Sequence, residues 1–143
     1  MFVDTNVLVN TRFLEAPDHQ VARASLESAL KQGDPVRISR QVLREYLAVV
    51  TRPQIWPVPI TRLEALGDVE RLAANFEVLE DGSTVTDWLL LLCRQVPIGG
   101  KQVHDANIVA TMLAYGESRL LTFNEADFHR FQDRIRLVEH API

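Results

Sequence analysis

Short apolar stretches alternate along the chain with longer segments in which apolar residues recur every three or four positions. The short stretches predict strands, which we place at 2–3, 35–39, 76–79, 119–123 and 135–138. The longer segments predict amphipathic helices, which we place at 17–33, 40–51, 61–74, 84–96 and 103–115, with a short helical piece within 124–131. Strands that alternate with helices predict a three-layer α/β fold, in which helices flank a central, mostly parallel sheet.

Individual residues predict where two of these helices begin and end. Ser39 suits the N-cap of the helix over 40–51, and Pro53 ends that helix within a proline-rich loop. Thr84 and Asp87 have the spacing of a capping box, which predicts a helix start at that point.

The composition is that of an ordinary folded protein. Of its 143 residues, 47% are hydrophobic and 24% are charged, a balance typical of globular proteins rather than disordered chains. The length, with no repeat or linker in the sequence, predicts one domain over residues 1–143. The longest apolar run is too short to span a bilayer, and the first residues lack the features of a secretory signal. We therefore expect a cytoplasmic protein with no membrane partner.

The net charge of −4 narrows the possible partners. Proteins that coat nucleic acid by charge alone usually carry a basic excess, so this class is disfavoured. A metal-dependent nuclease stays possible, because bound divalent ions reverse the local sign that a phosphate meets.

Asp4 follows the first apolar stretch directly and is followed by Thr5 and Asn6. If Phe2-Val3 is a buried strand, Asp4 lies at its carboxyl end, which is where open α/β sheets bind their ligands. A second interpretation is that Asp4 or Thr5 only caps a helix. Both interpretations stay open until other acids are considered.

Two further acids lie at the borders of predicted helix faces. Glu45 is next to the apolar positions Val42 and Val49 on a helical wheel, although pairing with a nearby arginine would also explain it. Asp105 begins a stripe that continues through Val109, so it lies in the first turn of its helix on the side facing the core. A favourable charge at the helix N-terminus explains why Asp105 lies in the first turn. It does not explain why Asp105 lies on the side facing the core.

The turn after the strand over 119–123 carries two more oxygen-bearing side chains, Asn124 and Asp127. They have the spacing of a reciprocal helix cap, and either one is also placed to complete a site at the sheet edge. Carboxylates that gather without a counter-ion raise one another's pKa. Hard oxygen ligands of this kind suit Mg²⁺ or Mn²⁺, whereas no histidine or cysteine cluster has zinc spacing.

The order of the motifs along the chain resembles the PIN domain family, and within it the VapC-type toxins of bacterial toxin–antitoxin pairs. The matching pieces are Val3-Asp4-Thr5-Asn6, Glu45 within 42–47, Thr51-Arg52-Pro53, Gly99-Gly100, the stretch 104–110 that begins His104-Asp105, and the stretch 121–128 that contains Thr122, Asn124 and Asp127.

The resemblance implies a metal-dependent endoribonuclease that acts as the toxin of such a pair and uses Mg²⁺ or Mn²⁺. The residues that it implies as metal-binding and catalytic acids are Asp4, Glu45, Asp105 and Asp127. Those that it implies as supporting hydrogen-bond partners are Thr5, Asn6, Thr122 and Asn124. Many relatives carry aspartate at the position of Asn124, so it stays open whether Asn124 or Asp127 completes the site.

The resemblance also implies partners. RNA is the expected substrate, and the basic side chains beside the acidic motifs that we expect to contact it are Arg44, Lys101 and His104. A homodimer and a small VapB-like antitoxin are the expected protein partners. The alternative function is a non-catalytic PIN-like module that binds RNA or a partner through a weakened metal site.

Overall fold

A parallel sheet forms the centre of the protein. The computed structural model describes residues 1–53 and 55–143, and within them the sheet has five strands in the order β3-β2-β1-β4-β5. The strands are β1 (Phe2–Val3), β2 (Arg37–Ser39), β3 (Glu77–Leu79), β4 (Arg119–Leu121) and β5 (Arg136–Leu137). Every adjacent pair is parallel. The α/β fold predicted from the sequence is therefore confirmed.

Helices connect the strands and cover both faces of the sheet. The helices in the described residues are α1 (Thr5–Arg12), α2 (His19–Lys31), α3 (Arg40–Val50), α4 (Arg62–Asn75), α5 (Ser83–Gln95), α6 (Gln102–Ala114), α7 (Glu125–Phe128) and a 3-10 helix (His129–Phe131). Within the described ranges, no helix combines the length and apolar character needed to cross a membrane.

The central position of β1 explains its short, wholly apolar sequence. Phe2 and Val3 are completely buried, because a strand in the middle of a parallel sheet is covered on both faces. Phe2 pairs with Arg37 of β2 and with Leu120 of β4. The amino group of Met1 hydrogen-bonds the Pro35 carbonyl at 2.7 Å, which holds the start of β1 against the residues before β2.

The strands deliver polar residues to one edge of the sheet. Helices α1 and α3 begin directly after β1 and β2, with Asp4 and Ser39 as their N-caps. Helix α7 follows β4 after a turn of three residues. Because the strands are parallel, their carboxyl ends all open on this edge, and this is where the candidate site lies.

Three details differ from the sequence prediction. Residues 5–12 form helix α1, which the pattern did not predict because Val7, Leu8 and Val9 are consecutive rather than periodic. The capping box predicted for Thr84 and Asp87 is wrong: α5 starts at Ser83 after Gly82, with no side-chain cap from the described residues. A capping box instead joins Thr61 and Glu64 at the start of α4. The predicted proline-rich loop includes position 54, which lies outside the described residues.

Candidate active site

A cleft of about 420 Å³ opens at the carboxyl edge of the sheet. Three acids from three elements face it: Asp4 at the β1–α1 junction, Glu45 in the second turn of α3, and Asp105 in the first turn of α6. The described residues that line the cleft are Asp4, Thr5, Asn6, Val9, Asn10, Glu45, Ala48, Val49, Arg52, Asp105 and Asn124. Acids that are separated by up to about a hundred positions in the chain therefore share one concave surface.

Asp4 is both the N-cap of α1 and the buried acid of the cleft. Its side chain is only 6% exposed. One carboxylate oxygen accepts a hydrogen bond from the Thr5 N–H at 2.7 Å, and the other accepts from Asn6 Nδ2 at 3.0 Å and Thr122 Oγ1 at 2.8 Å. The two sequence interpretations of Asp4 are thus not exclusive, because the cap holds the carboxylate in place at the strand end.

Burial dominates the electrostatics of Asp4. Desolvation and, to a smaller extent, the negative charge of Glu45 raise the pKa of Asp4 from its usual 3.8 to about 6. The hydrogen bonds from Thr122, Thr5 and Asn6 act in the opposite direction, because they stabilise the ionised form. A carboxyl group with this pKa holds a proton more readily at neutral pH than an exposed aspartate does.

Glu45 is fixed from two sides. Its Oε2 accepts a hydrogen bond from Thr5 Oγ1 at 2.8 Å, and its Oε1 accepts one from Gln41 Nε2 at 2.8 Å. Thr5 therefore links two acids, since its backbone N–H binds Asp4 while its hydroxyl binds Glu45. These polar donors, rather than the arginine considered from the sequence, orient the Glu45 carboxylate.

Asp105 shows most clearly that the acids converge. Its pKa is raised from 3.8 to about 6, first by burial and then by the negative charges of Asp127, Asp4 and Glu45, while Arg130 lowers it. Like charges shift a pKa appreciably only when they are near one another. The other three acids singled out from the sequence therefore lie within electrostatic reach of Asp105.

The turn after β4 places Asn124 and Asp127 differently. Asn124 lines the cleft, and its N–H donates to Thr122 Oγ1 at 3.0 Å. Asp127 is exposed in α7, where its charge acts on Asp105. Although Asn124 occupies the N-cap position of α7, its side chain makes no capping bond to the described residues. The reciprocal cap considered from the sequence is therefore not formed.

Asn6 and Thr122 join the two central strands at the site. Asn6 Nδ2 donates to Thr122 Oγ1 at 3.2 Å as well as to Asp4, and Asn6 Oδ1 accepts from the Phe123 N–H at 2.9 Å. The turn after β4 is consequently held against the start of α1. This network fixes the position of Asn124 relative to Asp4.

The basic residues predicted to contact RNA lie outside the set of described residues that lines the cleft. Arg44, Lys101 and His104 are exposed, and none is among the described residues that line the cleft. Arg52 does line it. The sequence held a signal for Arg52, because it follows Glu45 by seven positions and comes directly after the helix that carries Glu45.

Gln41 is the second residue that the sequence prediction missed. It lies four positions before Glu45 on the same face of α3 and is only 5% exposed. A buried amide is uncommon on a helix face unless its hydrogen bonds are made. Its contacts link α3 to the first turn of α6 and are described below.

The donor set of the cleft fits a hard divalent cation. All of its candidate ligands are carboxylate, amide or hydroxyl oxygens, which suit Mg²⁺ or Mn²⁺ rather than softer metals. Among the described residues, no group of three or more His, Cys, Asp or Glu side chains lies close enough together to hold a metal ion by itself. Mg²⁺ does not require one, because it commonly takes one or two carboxylates and keeps several waters.

A parallel sheet with carboxylates gathered at its carboxyl edge places the chain among small α/β proteins with an acidic edge site. The family model described as the PIN domain matches residues 1–133. The chain belongs to the PIN domain family.

Similar proteins agree with this assignment. Ribonuclease VapC31 of Mycobacterium tuberculosis is 28% identical over 131 residues, which cover 90% of this chain and 91% of the relative. Ribonuclease VapC25 of the same organism is 26% identical over 131 residues with the same coverage.

Solved structures share the fold. VapBC2 from Rickettsia felis, bound to a DNA fragment from its promoter, matches with a TM-score of 0.69 and 19% identity over 96% of each chain. Mycobacterium tuberculosis VapC20, described as a toxin that cleaves the sarcin–ricin loop, matches with a TM-score of 0.69 and 17% identity over 98% of each chain.

Proposed function

We propose that this PIN domain is an endoribonuclease that hydrolyses RNA phosphodiester bonds with Mg²⁺ or Mn²⁺, and that it is the toxin of a toxin–antitoxin pair. One observation carries the proposal: Asp4, Glu45 and Asp105 meet in one cleft of a PIN domain. The ribonuclease names of the similar proteins support the choice of RNA as substrate. A cytoplasmic location is part of the same proposal.

The cation would be held by the acids of the cleft. Asp4 and Asp105 are the principal ligands in this proposal, Glu45 is the third, and Asp127 or Asn124 completes the set. The raised pKa values of Asp4 and Asp105 support it, because a cation offsets the repulsion and burial that raise them. A bound divalent ion supplies Lewis-acid activation of water and neutralises charge on the phosphate.

The protein's own residues would organise the reacting groups. Thr5, Asn6 and Thr122 hold the Asp4 carboxylate at one orientation through three hydrogen bonds, which limits how far a bound phosphate and water can shift. Such partners of metal-binding carboxylates tune both affinity and geometry. Asn124 is placed at the cleft wall to donate a hydrogen bond to a substrate oxygen.

Basic residues would bind the RNA backbone beside the cleft. Arg52 is the basic residue among the described cleft-lining set, so we assign it the phosphate next to the one that is cut. Arg44, Lys101 and His104 are exposed around the site and are assigned to more distant phosphates. Such contacts position RNA without reading its sequence.

The proposed protein partners are a VapB-like antitoxin and a second copy of the chain. The antitoxin proposal is supported by the fold neighbours, several of which are described as toxin–antitoxin complexes. The loop before α4 and α4 itself expose Val58 at 63% and Leu63 at 74%. We assign the antitoxin contact to this apolar surface, because exposed apolar side chains grouped in this way mark interaction sites.

Cleavage of purified RNA tests the proposal. Wild type should cut total RNA from its own cells in the presence of Mg²⁺ or Mn²⁺, stop when EDTA is added, and lose activity as Asp4→Asn. Asp87→Asn, which changes an exposed acid on α5 outside the cleft, is the matched control and should cut like wild type. A folded wild-type protein that cuts no RNA with either metal contradicts the nuclease.

Growth of cells tests the toxin assignment separately. Expression of wild type without the antitoxin should arrest growth, whereas Asp4→Asn should be tolerated at the same protein level. Normal growth of cells that express wild type would contradict the toxin assignment, but it would not contradict the proposed ribonuclease activity.

A further inference from the structure

Gln41 is a buried amide whose hydrogen bonds are all used inside the protein. Its Nε2 donates to Glu45 Oε1 at 2.8 Å and to the His104 carbonyl at 2.8 Å. Its Oε1 accepts from Asn107 Nδ2 at 2.8 Å. The orientation of the amide follows from these partners, since a carboxylate and a carbonyl only accept and therefore face the NH₂ group.

These bonds join two of the acid-bearing helices. Glu45 belongs to α3, and the His104 carbonyl belongs to the peptide group that leads into Asp105 on α6. One side chain therefore contacts the Glu45 carboxylate and the backbone beside Asp105 at the same time. The separation of the two acids is set through Gln41 rather than by packing of apolar side chains alone.

Asn107 holds Gln41 in this orientation. Asn107 lies two positions after Asp105 on α6, and its Nδ2 also contacts Asp81 Oδ2 at 3.3 Å, just before α5. Because Asn107 presents donor hydrogens to Gln41 Oε1, the reversed amide would place two NH₂ groups against each other. The amide of Gln41 is thus locked in the orientation that donates to Glu45.

We infer that Gln41 is a positioning residue for the acidic cleft, which holds the Glu45 carboxylate in one orientation and at a fixed distance from Asp105. The inference rests on the proposed metal-dependent function, since it concerns the geometry of that site. Loss of Gln41 would leave the Glu45 carboxylate held, among the described residues, by Thr5 alone and would remove the donor that links it to the His104 carbonyl.

The test substitutes Gln41→Met, which keeps the length of the side chain and removes its hydrogen bonds. The readouts are the Mn²⁺ concentration that gives half of the maximal rise in Tm, and kcat and KM for RNA cleavage. We expect the Mn²⁺ midpoint to rise about 10-fold or more, as for other partners of metal ligands, with a lower kcat and a nearly unchanged KM.

Tyr46→Phe is the matched control. Tyr46 is next to Glu45 on α3, is 2% exposed, and donates to Asp68 at 2.7 Å outside the cleft. The control removes a buried hydrogen bond from the same helix, so it should lower the Tm of the metal-free protein without moving the Mn²⁺ midpoint. If Gln41→Met also lowers the Tm and leaves the midpoint at its wild-type value, Gln41 is only structural and the inference is wrong.

Two variants of Asn107 test the same inference if Gln41→Met does not fold. Asn107→Ala removes the donor that holds the amide and should raise the Mn²⁺ midpoint less than Gln41→Met. Asn107→Asp presents only acceptors to Gln41, so the amide should turn its NH₂ group away from Glu45 and the midpoint should rise more than in Asn107→Ala. Equal midpoints in wild type and both variants overturn the inference. Failure of the inference about Gln41 is distinguishable from failure of the proposed function. In the second case, wild type itself would show no Mn²⁺-dependent rise in Tm and no RNA cleavage.

Discussion

The burial of Asp4 makes an unusual prediction: Asp4→Asn should stabilise the metal-free protein at pH 8. The pKa of Asp4 rises from 3.8 to about 6 on folding. The folded state therefore binds a proton more readily than the unfolded state between these pH values. Protonated Asp4 contributes to the free energy of unfolding, and this contribution is fully present below about pH 4. It is lost as the pH rises through about 6. At pH 8 the Asp4 carboxylate is ionised, and its burial lowers the free energy of unfolding.

The size of the effect follows from the shift. A change of about two pKa units corresponds to roughly 3 kcal/mol of unfolding free energy at pH 8. Asparagine removes this cost because it is neutral at every pH. Its side chain offers one acceptor oxygen in place of two, so one of the bonds from Thr5, Asn6 and Thr122 is weakened at a cost of about 1 kcal/mol. The net expectation is a gain of about 1–2 kcal/mol in the free energy of unfolding.

Urea unfolding in the presence of EDTA, repeated from pH 4 to pH 8, measures this gain. Wild type should lose stability as the pH rises through about 6, and Asp4→Asn should lose less. Some slope should persist in the variant, because the pKa of Asp105 is also raised to about 6. A variant that is less stable than wild type at pH 8, with an unchanged pH dependence, would refute the reasoning.

Asp68→Asn is the matched control and should have the opposite sign. Burial acts to raise the pKa of Asp68, but hydrogen bonds from Tyr46, Arg12 and Arg71 outweigh it and hold that pKa below its usual value. The contribution of Asp68 is therefore present at pH 8 and lost as the pH falls below its usual range. The same chemical change should destabilise the protein at pH 8 here, since it removes a paired charge.

Further predictions concern individual side chains of the cleft. Arg52→Gln should raise KM for RNA several-fold with a smaller change in kcat, because one phosphate contact is lost. The salt dependence of RNA binding should fall for the same reason. An unchanged KM contradicts the assignment of Arg52 to a phosphate. Thr122→Val should lower the metal-dependent cleavage rate about 10-fold, and Thr122→Ser, which keeps the hydroxyl donor to Asp4, should restore most of it. If position 124 contributes a metal ligand, Asn124→Asp should lower the Mn²⁺ midpoint. If Asp127 contributes the ligand instead, Asp127→Asn should raise the midpoint. Tm measured against Mn²⁺ concentration shows which of the two positions completes the site.

The fold was predictable because local sequence and final structure agree along most of the chain. Phe2-Val3 is an apolar pair that a central parallel strand requires, and Ser39 caps α3 as its side chain predicts. Helix α1 was indicated only by the capping interpretation of Asp4 or Thr5, because three consecutive apolar residues after Asp4 hide its period. The Thr84 capping box failed because α5 begins one residue earlier, which moves Thr84 into the first turn.

The acids of the cleft were recognisable as a set rather than singly, because Asp4 and Asp127 each also had a helix-capping interpretation. Asp105 on a stripe facing the core is the best case, and in the structure it lies within reach of three other carboxylates. Gln41 carries no such local signal, because its importance comes from contacts with residues far along the chain. Gln41 bonds to a carbonyl 63 positions away, and no periodicity in the sequence specifies that contact.

Direct titration with Mn²⁺ tests the central claim, which is that the acids at the sheet edge form a site for a divalent cation. Calorimetry should detect Mn²⁺ binding to wild type and to Asp87→Asn with equal affinity. Binding should be lost or greatly weakened in Asp4→Asn, although that variant is folded. Equal binding to wild type and Asp4→Asn, or no binding to folded wild type, would contradict the claim.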